Sequence, residues 1–211
     1  MKLCIISDTH SKHKKLNDYN LEGDVIIHCG DFTSRGYKHE IINFFKWFSN
    51  LDQFDYKIII AGNHDLMFDE NNSLAKSLVP SNVIYLEDNS IIIDDIKFYG
   101  TPYQKIFYNW AFNRDSETLK KHWEIIPDDT DVLITHAPPY KILDFVEYSY
   151  EHVGDKSLRD EIFNRIRPQI NCFGHIHDQH GVVNLNDIKF INASLLNDKY
   201  HFVFEPTYLT I

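Results

Sequence analysis

Apolar residues in this chain gather in short continuous runs that alternate, over the first two thirds, with stretches of helical spacing. Strand-like runs fall at residues 2–7, 24–28, 57–61, 83–86, 90–93, 96–99, 131–135, 169–173, 181–185, 188–192, 200–205 and 208–211. Several read as unbroken Val/Ile/Leu segments, the signature of strands buried on both faces. Asp94-Asp95 and Asn186-Asp187 each separate two such runs by two residues, which predicts tight hairpins. Ile41, Phe44, Phe45 and Phe48 repeat at i, i+3, i+4 and i+7, and so predict a helix over 40–50 with one apolar stripe. Leu158, Ile162 and Ile166 predict another over 156–165, stopped by Pro168, and shorter helices are expected at 74–78 and 116–123. Strand and helix alternate early, whereas hairpins fill the last third. The pattern predicts two sheets packed face to face with helices outside, in a single domain over residues 1–211.

Five of these runs end in polar clusters. Ile5-Ile6 leads to Asp8 and His10, Ile26-Ile27 to Gly30-Asp31, and Ile58 to Ala61 to Gly62-Asn63-His64-Asp65; Leu133-Ile134 leads to His136, and the run ending at Phe173 to Gly174-His175 and His177. Ligands in α/β sheets bind beyond the carboxyl ends of strands, so the clusters are expected to converge. Asp8 and His10, two apart, project to one side of an extended segment and grip one ion; His175 and His177 repeat that spacing. Asp31 carries two oxygens and the charge to offset cation repulsion, which makes it the candidate bridge between two ions about 3.5–4 Å apart. Asn63 adds a neutral oxygen and His136 an imidazole. Mixed nitrogen and oxygen donors without thiolate favour manganese, with iron, nickel or zinc as alternatives, over a magnesium cage.

The formal net charge of −10 over 211 residues disfavours attraction to nucleic acid or to anionic lipid, though two bound cations would reverse the potential locally. No uncharged run of membrane-spanning length occurs and no secretory signal is read at the N-terminus, so a cytoplasmic protein without membrane partners is expected. Cys4, Cys29 and Cys172 lie inside strand-like runs without metal-binding spacing and read as buried thiols.

Asp8-x-His10, Gly30-Asp31, Gly62-Asn63-His64-Asp65, His136 and Gly174-His175-x-His177 together resemble the motif series of the calcineurin-like metallophosphoesterases. Asp31-Phe32-Thr33, Trp110-Ala111-Phe112-Asn113 and Thr135-His136-Ala137-Pro138-Pro139 are similar, more narrowly, to the small MPPED-type phosphodiesterases. The resemblance implies a sandwich of two mixed β-sheets flanked by helices, an α/β fold, and a two-metal site. It implies Asp8, His10, Asp31 and His177 on the first metal and Asp31, Asn63, His136 and His175 on the second. His64 is then a catalytic histidine outside the ligand set, expected to donate a proton to the leaving oxygen, with Asp65 holding its tautomer. The expected activity is hydrolysis of small nucleotide phosphodiesters, cyclic or linear, by a hydroxide held between the two metals. Substrate would be bound by Asn63 and His64 and by base stacking on Tyr103 and Trp110. The rivals are a phosphomonoesterase or nuclease on the same site, and a non-catalytic scaffold with this fold. No stable nucleic-acid complex is expected, and the sequence assigns no oligomeric state.

Overall fold

The computed structural model describes all 211 residues. In chain order its strands are β1 (Lys2–Ile6), β2 (Val25–His28), β3 (Tyr56–Ile59), β4 (Ile84–Tyr85), β5 (Asn89–Ile93), β6 (Ile96–Thr101), β7 (Gln104–Lys105) and β8 (Asn113–Arg114). They continue with β9 (Val132–Thr135), β10 (Phe145–Val146), β11 (Glu151–His152), β12 (Ile170–Phe173), β13 (Gly181–Leu185), β14 (Ile188–Asn192) and β15 (Thr207–Thr210). The helices are α1 (Lys38–Phe48), α2 (Leu66–Glu70), α3 (Asn72–Ser77), α4 (Ser116–Glu124) and α5 (Lys156–Glu161), the last running into a wider turn at Ile162–Ile166.

One sheet has the order β15-β1-β2-β3-β4 and the other β13-β14-β12-β9-β6-β5. Within them β1, β2, β3 and β4 are parallel, as are β6, β9, β12 and β14, while β15, β13 and β5 close the edges antiparallel. Side chains alternate across each strand, and here both sides are covered. Leu3, Ile5, Ile27 and Ile58 of one sheet meet Phe98, Val132, Ile134 and Ile191 of the other in an inner core. Cys4, Ile6, Ile26 and Ile59 face outward against the Ile41-Phe44-Phe45-Phe48 stripe of α1. Leu133, Phe173 and Phe190 do the same against Leu119 and Trp123 of α4 and Leu158 of α5. A fully buried side chain of this size contributes about 1.5–3 kcal/mol, which is why four layers form from such short strands.

Asp94, Asp95, Asn186 and Asp187 all have positive φ, as a two-residue hairpin turn requires. The strand expected at 200–205 does not form. Only an isolated bridge, Leu196 to Phe202, marks the segment, because the Asn197 side chain accepts from the backbone of Lys199 and His201 and curls the chain locally. The π-type turn after α5 and the paired ribbons β7–β8 and β10–β11 have no periodic trace in the sequence. No helix is long and apolar enough to cross a membrane.

Candidate metal centre

The carboxyl ends of β1, β2, β3, β9 and β12 open on the same edge of the sandwich, and their following loops carry the polar clusters together. Asp8, Asp31, His10 and His175 all adopt left-handed backbone, with φ of 55°, 57°, 39° and 68°. Asp and His tolerate this region better than bulky residues do, yet each such conformation costs on the order of 1 kcal/mol or more. The strain turns each side chain back over the end of its own strand. Two glycines make the convergence sterically possible. A Cβ at Gly30, itself at φ 98°, would lie 2.6 Å from His136 Nδ1, and one at Gly174 would strike the Asp8 carboxylate.

Potential ligand atoms form three groups, each within 4.8 Å: Asp8, His10 and His177; His10, Asp31 and His64; and Asp31, His136 and His175. His10 and Asp31 link the groups into one chain. His136 donates from Nδ1 to the Cys29 carbonyl at 2.9 Å, and His177 from Nδ1 to the Asn197 carbonyl at 3.0 Å. With those protons fixed, both rings turn Nε2 inward, where loss of the second proton exposes a lone pair. There His136 Nε2 lies 2.9 Å from Asn63 Oδ1 and 3.4 Å from Asp31 Oδ2, while His177 Nε2 lies 3.2 Å from His10 Nε2 and 3.4 Å from Asp8 Oδ1. Once those nitrogens are deprotonated, acceptors face acceptors at such distances and a shared cation satisfies them, so this donor set fits divalent metals. Asp8 is braced by the Ser194 hydroxyl at 2.8 Å and the His175 N–H, and Asp31 by the His64 N–H at 2.7 Å.

Electrostatics separates the histidines. Burial pushes His10 and His175 down to about 3, so they are neutral and ready to ligate. Burial also opposes charge on His136, but Asp31 and Asp8 outweigh it and raise the imidazole to about 9. In the metal-free protein at pH 7 that ring carries a proton, which a metal must displace. Metal affinity is therefore expected to rise with pH up to about 9, by roughly tenfold per pH unit for one displaced proton, and then to level. Calorimetric titration of zinc or manganese ions in buffers of differing ionisation enthalpy reads the released proton directly. An affinity flat between pH 6 and 9 contradicts this.

Some expectations are corrected. The Asp65 carboxylate makes no hydrogen bond to the His64 ring. Fully buried, it accepts from the N–H groups of Gly62, Asp31 and Thr33 at 2.8, 2.9 and 2.9 Å and from the Thr33 hydroxyl at 2.7 Å. It ties the loop after β3 to the loop after β2 and so aims Asp31; burial and the Asp31 charge push its carboxyl up to about 7. The His64 ring instead donates from Nδ1 to the Ser34 carbonyl at 2.8 Å. Trp110 is no free platform for a base: its indole stacks on His64 at 3.9 Å and 26°, with the Arg35 guanidinium 5.1 Å from the ring. Tyr103 does line the cleft, with its ring stacked on His122 at 3.7 Å and beneath Arg114 at 4.8 Å.

The centre forms the floor of a cleft of about 730 Å³, reached by Asp31, Asn63, His64, His175 and His177. Apart from Tyr103, its aromatic walls were not legible in the sequence. Phe107 comes from the loop between β7 and β8, Phe145, Tyr148 and Tyr150 from the β10–β11 ribbon, and Tyr200 from near the C-terminus.

The chain is a member of the calcineurin-like phosphoesterase family, whose model matches residues 1–179, and it is a phosphoric ester hydrolase of a family that works with two metal ions. It is 35% identical to metallophosphoesterase domain-containing protein 1 of Homo sapiens over 97% of this chain and 69% of that protein. A UPF0046 protein of Caenorhabditis elegans is 36% identical over 93% of this chain and 70% of its own length. A solved crystal structure 14% identical in sequence superposes with a TM-score of 0.64 over 90% of this chain and 89% of its own, which shows a shared fold.

Proposed function

We propose that the protein is a metal-dependent phosphodiesterase of small nucleotide diesters, with manganese as the working ion. Asp8, His10, Asp31 and His177 would hold one ion and Asp31, Asn63, His136 and His175 the other. When bound, the two ions supply Lewis acidity toward the phosphoryl oxygens and toward water. The chain's own residues do the rest. Asp31 spans the two donor groups, and Asn63 presents a neutral oxygen that does not repel the phosphate. His64, its Nδ1–H held by Ser34 and its ring by Trp110, keeps Nε2 free to carry a proton to the leaving oxygen.

The observation that carries the reading is the charge of the cleft around that donor set. Beyond the floor its walls combine aromatic side chains with Glu147, Asp178 and Asp198, against a single ammonium, Lys105. The centre attracts one phosphate, whereas such walls repel a second, which favours a small singly charged diester over a polymer. The test is a panel assayed with manganese-loaded protein: cyclic mononucleotides, cyclic dinucleotides, an aryl diester, nucleoside monophosphates and single-stranded oligonucleotides. A small diester is expected to exceed monoesters and long strands by at least about tenfold in kcat/KM, about 1.4 kcal/mol. Preference for a monoester or for long single strands overturns the reading.

A further inference from the structure

Tyr200 lies beyond residue 179, where the family match ends. Its backbone is left-handed, φ 59°, which is uncommon for a bulky aromatic. The turn from Asn197 to His201 enforces it. Tyr200 N–H donates to the Asn197 carbonyl at 2.8 Å, Asn197 Oδ1 accepts from the N–H of Lys199 and of His201, and the Lys12 ammonium donates to the Tyr200 carbonyl. That same Asn197 carbonyl takes the Nδ1 proton of His177, so a single turn orients a ligand histidine and the tyrosine together.

The ring stands edge-on to His10 at 4.9 Å and to His177 at 5.1 Å, with His64 at 6.3 Å. It lines the cleft beside Asp31, Asn63 and His64, is 40% exposed, and its hydroxyl makes no hydrogen bond within the protein. Packing against three imidazoles asks only for a flat ring. A phenol adds one O–H donor at neutral pH, in a site where the donor atoms contributed by Asp8, Asp31 and Asn63 are acceptors.

We propose that Tyr200 is a substrate-contacting residue whose hydroxyl donates a hydrogen bond to a phosphoryl oxygen of the bound ester. This rests on the phosphodiesterase reading of the site, and it goes further by assigning a donor from outside the family-matched segment. Donors aimed at phosphoryl charge strengthen as that charge develops, so loss of the hydroxyl acts on turnover as well as on binding.

Tyr200→Phe tests this, because it removes the hydroxyl while keeping the ring and its packing. In manganese-loaded protein it is expected to lower kcat/KM for the best small diester about 10- to 100-fold and to weaken inorganic phosphate binding, read by titration, about tenfold. Bound metal and melting temperature should match the wild type. Phosphate affinity and kcat/KM both unchanged overturn the proposal. A wild type that binds phosphate but cleaves no diester sinks the phosphodiesterase reading instead, and the phosphate affinity of Tyr200→Phe still decides the contact.

Discussion

Replacing Asp31 with asparagine is expected to empty both metal positions and to lower diester hydrolysis by at least about a thousandfold, some 4 kcal/mol in the barrier. The argument is local. Asp31 Oδ2 lies 3.7 Å from His10 Nε2 and 3.4 Å from His136 Nε2, so one atom faces both donor groups. Its Oδ1 is committed to the His64 N–H at 2.7 Å and its own N–H to Asp65. Asparagine fits this space and tolerates the left-handed φ of 57°, so the fold should survive. It nevertheless brings a neutral side chain with an NH₂ group that cannot accept, and the centre loses the charge that offsets two nearby cations. His175→Ala, by contrast, removes a member of one group and should weaken mainly one ion. Elemental analysis of metal-loaded, desalted protein makes the comparison. Two ions per chain retained in Asp31→Asn would refute the bridge.

The second large effect is at His64, and its size should depend on the substrate. Nitrophenolate leaves without a proton, whereas the alkoxide of a nucleotide diester does not. His64→Ala should therefore cost about 10²- to 10⁴-fold on the nucleotide diester and much less on a bis-aryl diester, with metal content intact. The geometry supports a fixed ring: Ser34 accepts the Nδ1 proton at 2.8 Å, Trp110 stacks at 3.9 Å, and His10 stands edge-on at 4.5 Å. Ser34 is itself held by Glu40 of α1, which accepts its N–H at 3.3 Å and that of Arg35 at 3.1 Å. Equal losses on both diesters would make His64 a phosphate-positioning residue. Because His64 shares a group with His10 and Asp31, loss of metal in His64→Ala would make it a ligand.

The division between what was and was not legible follows from the range of the interactions. Buried strands need continuous apolar runs, and α1 needs its four-residue stripe, so the layers, the hairpins at Asp94-Asp95 and Asn186-Asp187 and the outer helices were written locally in the sequence. The donor residues were legible for the same reason. Each candidate, Asp8, His10, Asp31, Asn63, His136, His175 and His177, follows its strand within a few positions and has a metal-binding atom in its own side chain. Even the glycines before Asp31 and His175 stand beside the residues whose approach requires them.

What aims those residues was decided only in three dimensions. The sequence suggested that Asp65 serves its neighbour His64, yet the Asp65 carboxylate spends its capacity on Gly62, Asp31 and Thr33, and His64 finds the Ser34 carbonyl 30 residues away. Such side-chain to backbone bonds leave no period in the sequence, since any carbonyl accepts equally well. Trp110 looked like a base platform because aromatic composition is visible, whereas the His64 ring and Arg35 guanidinium packed on it are not. Tyr200 looked like strand, because a β-propensity run says nothing of an asparagine whose short side chain captures the following N–H groups. The sequence by itself determined the layers, the candidate donor residues and their place at the strand ends. The tertiary structure decided which lone pairs face inward, which aromatics remain open to the cleft, and that a tyrosine from the C-terminal turn stands over the centre, because those depend on contacts between segments distant along the chain.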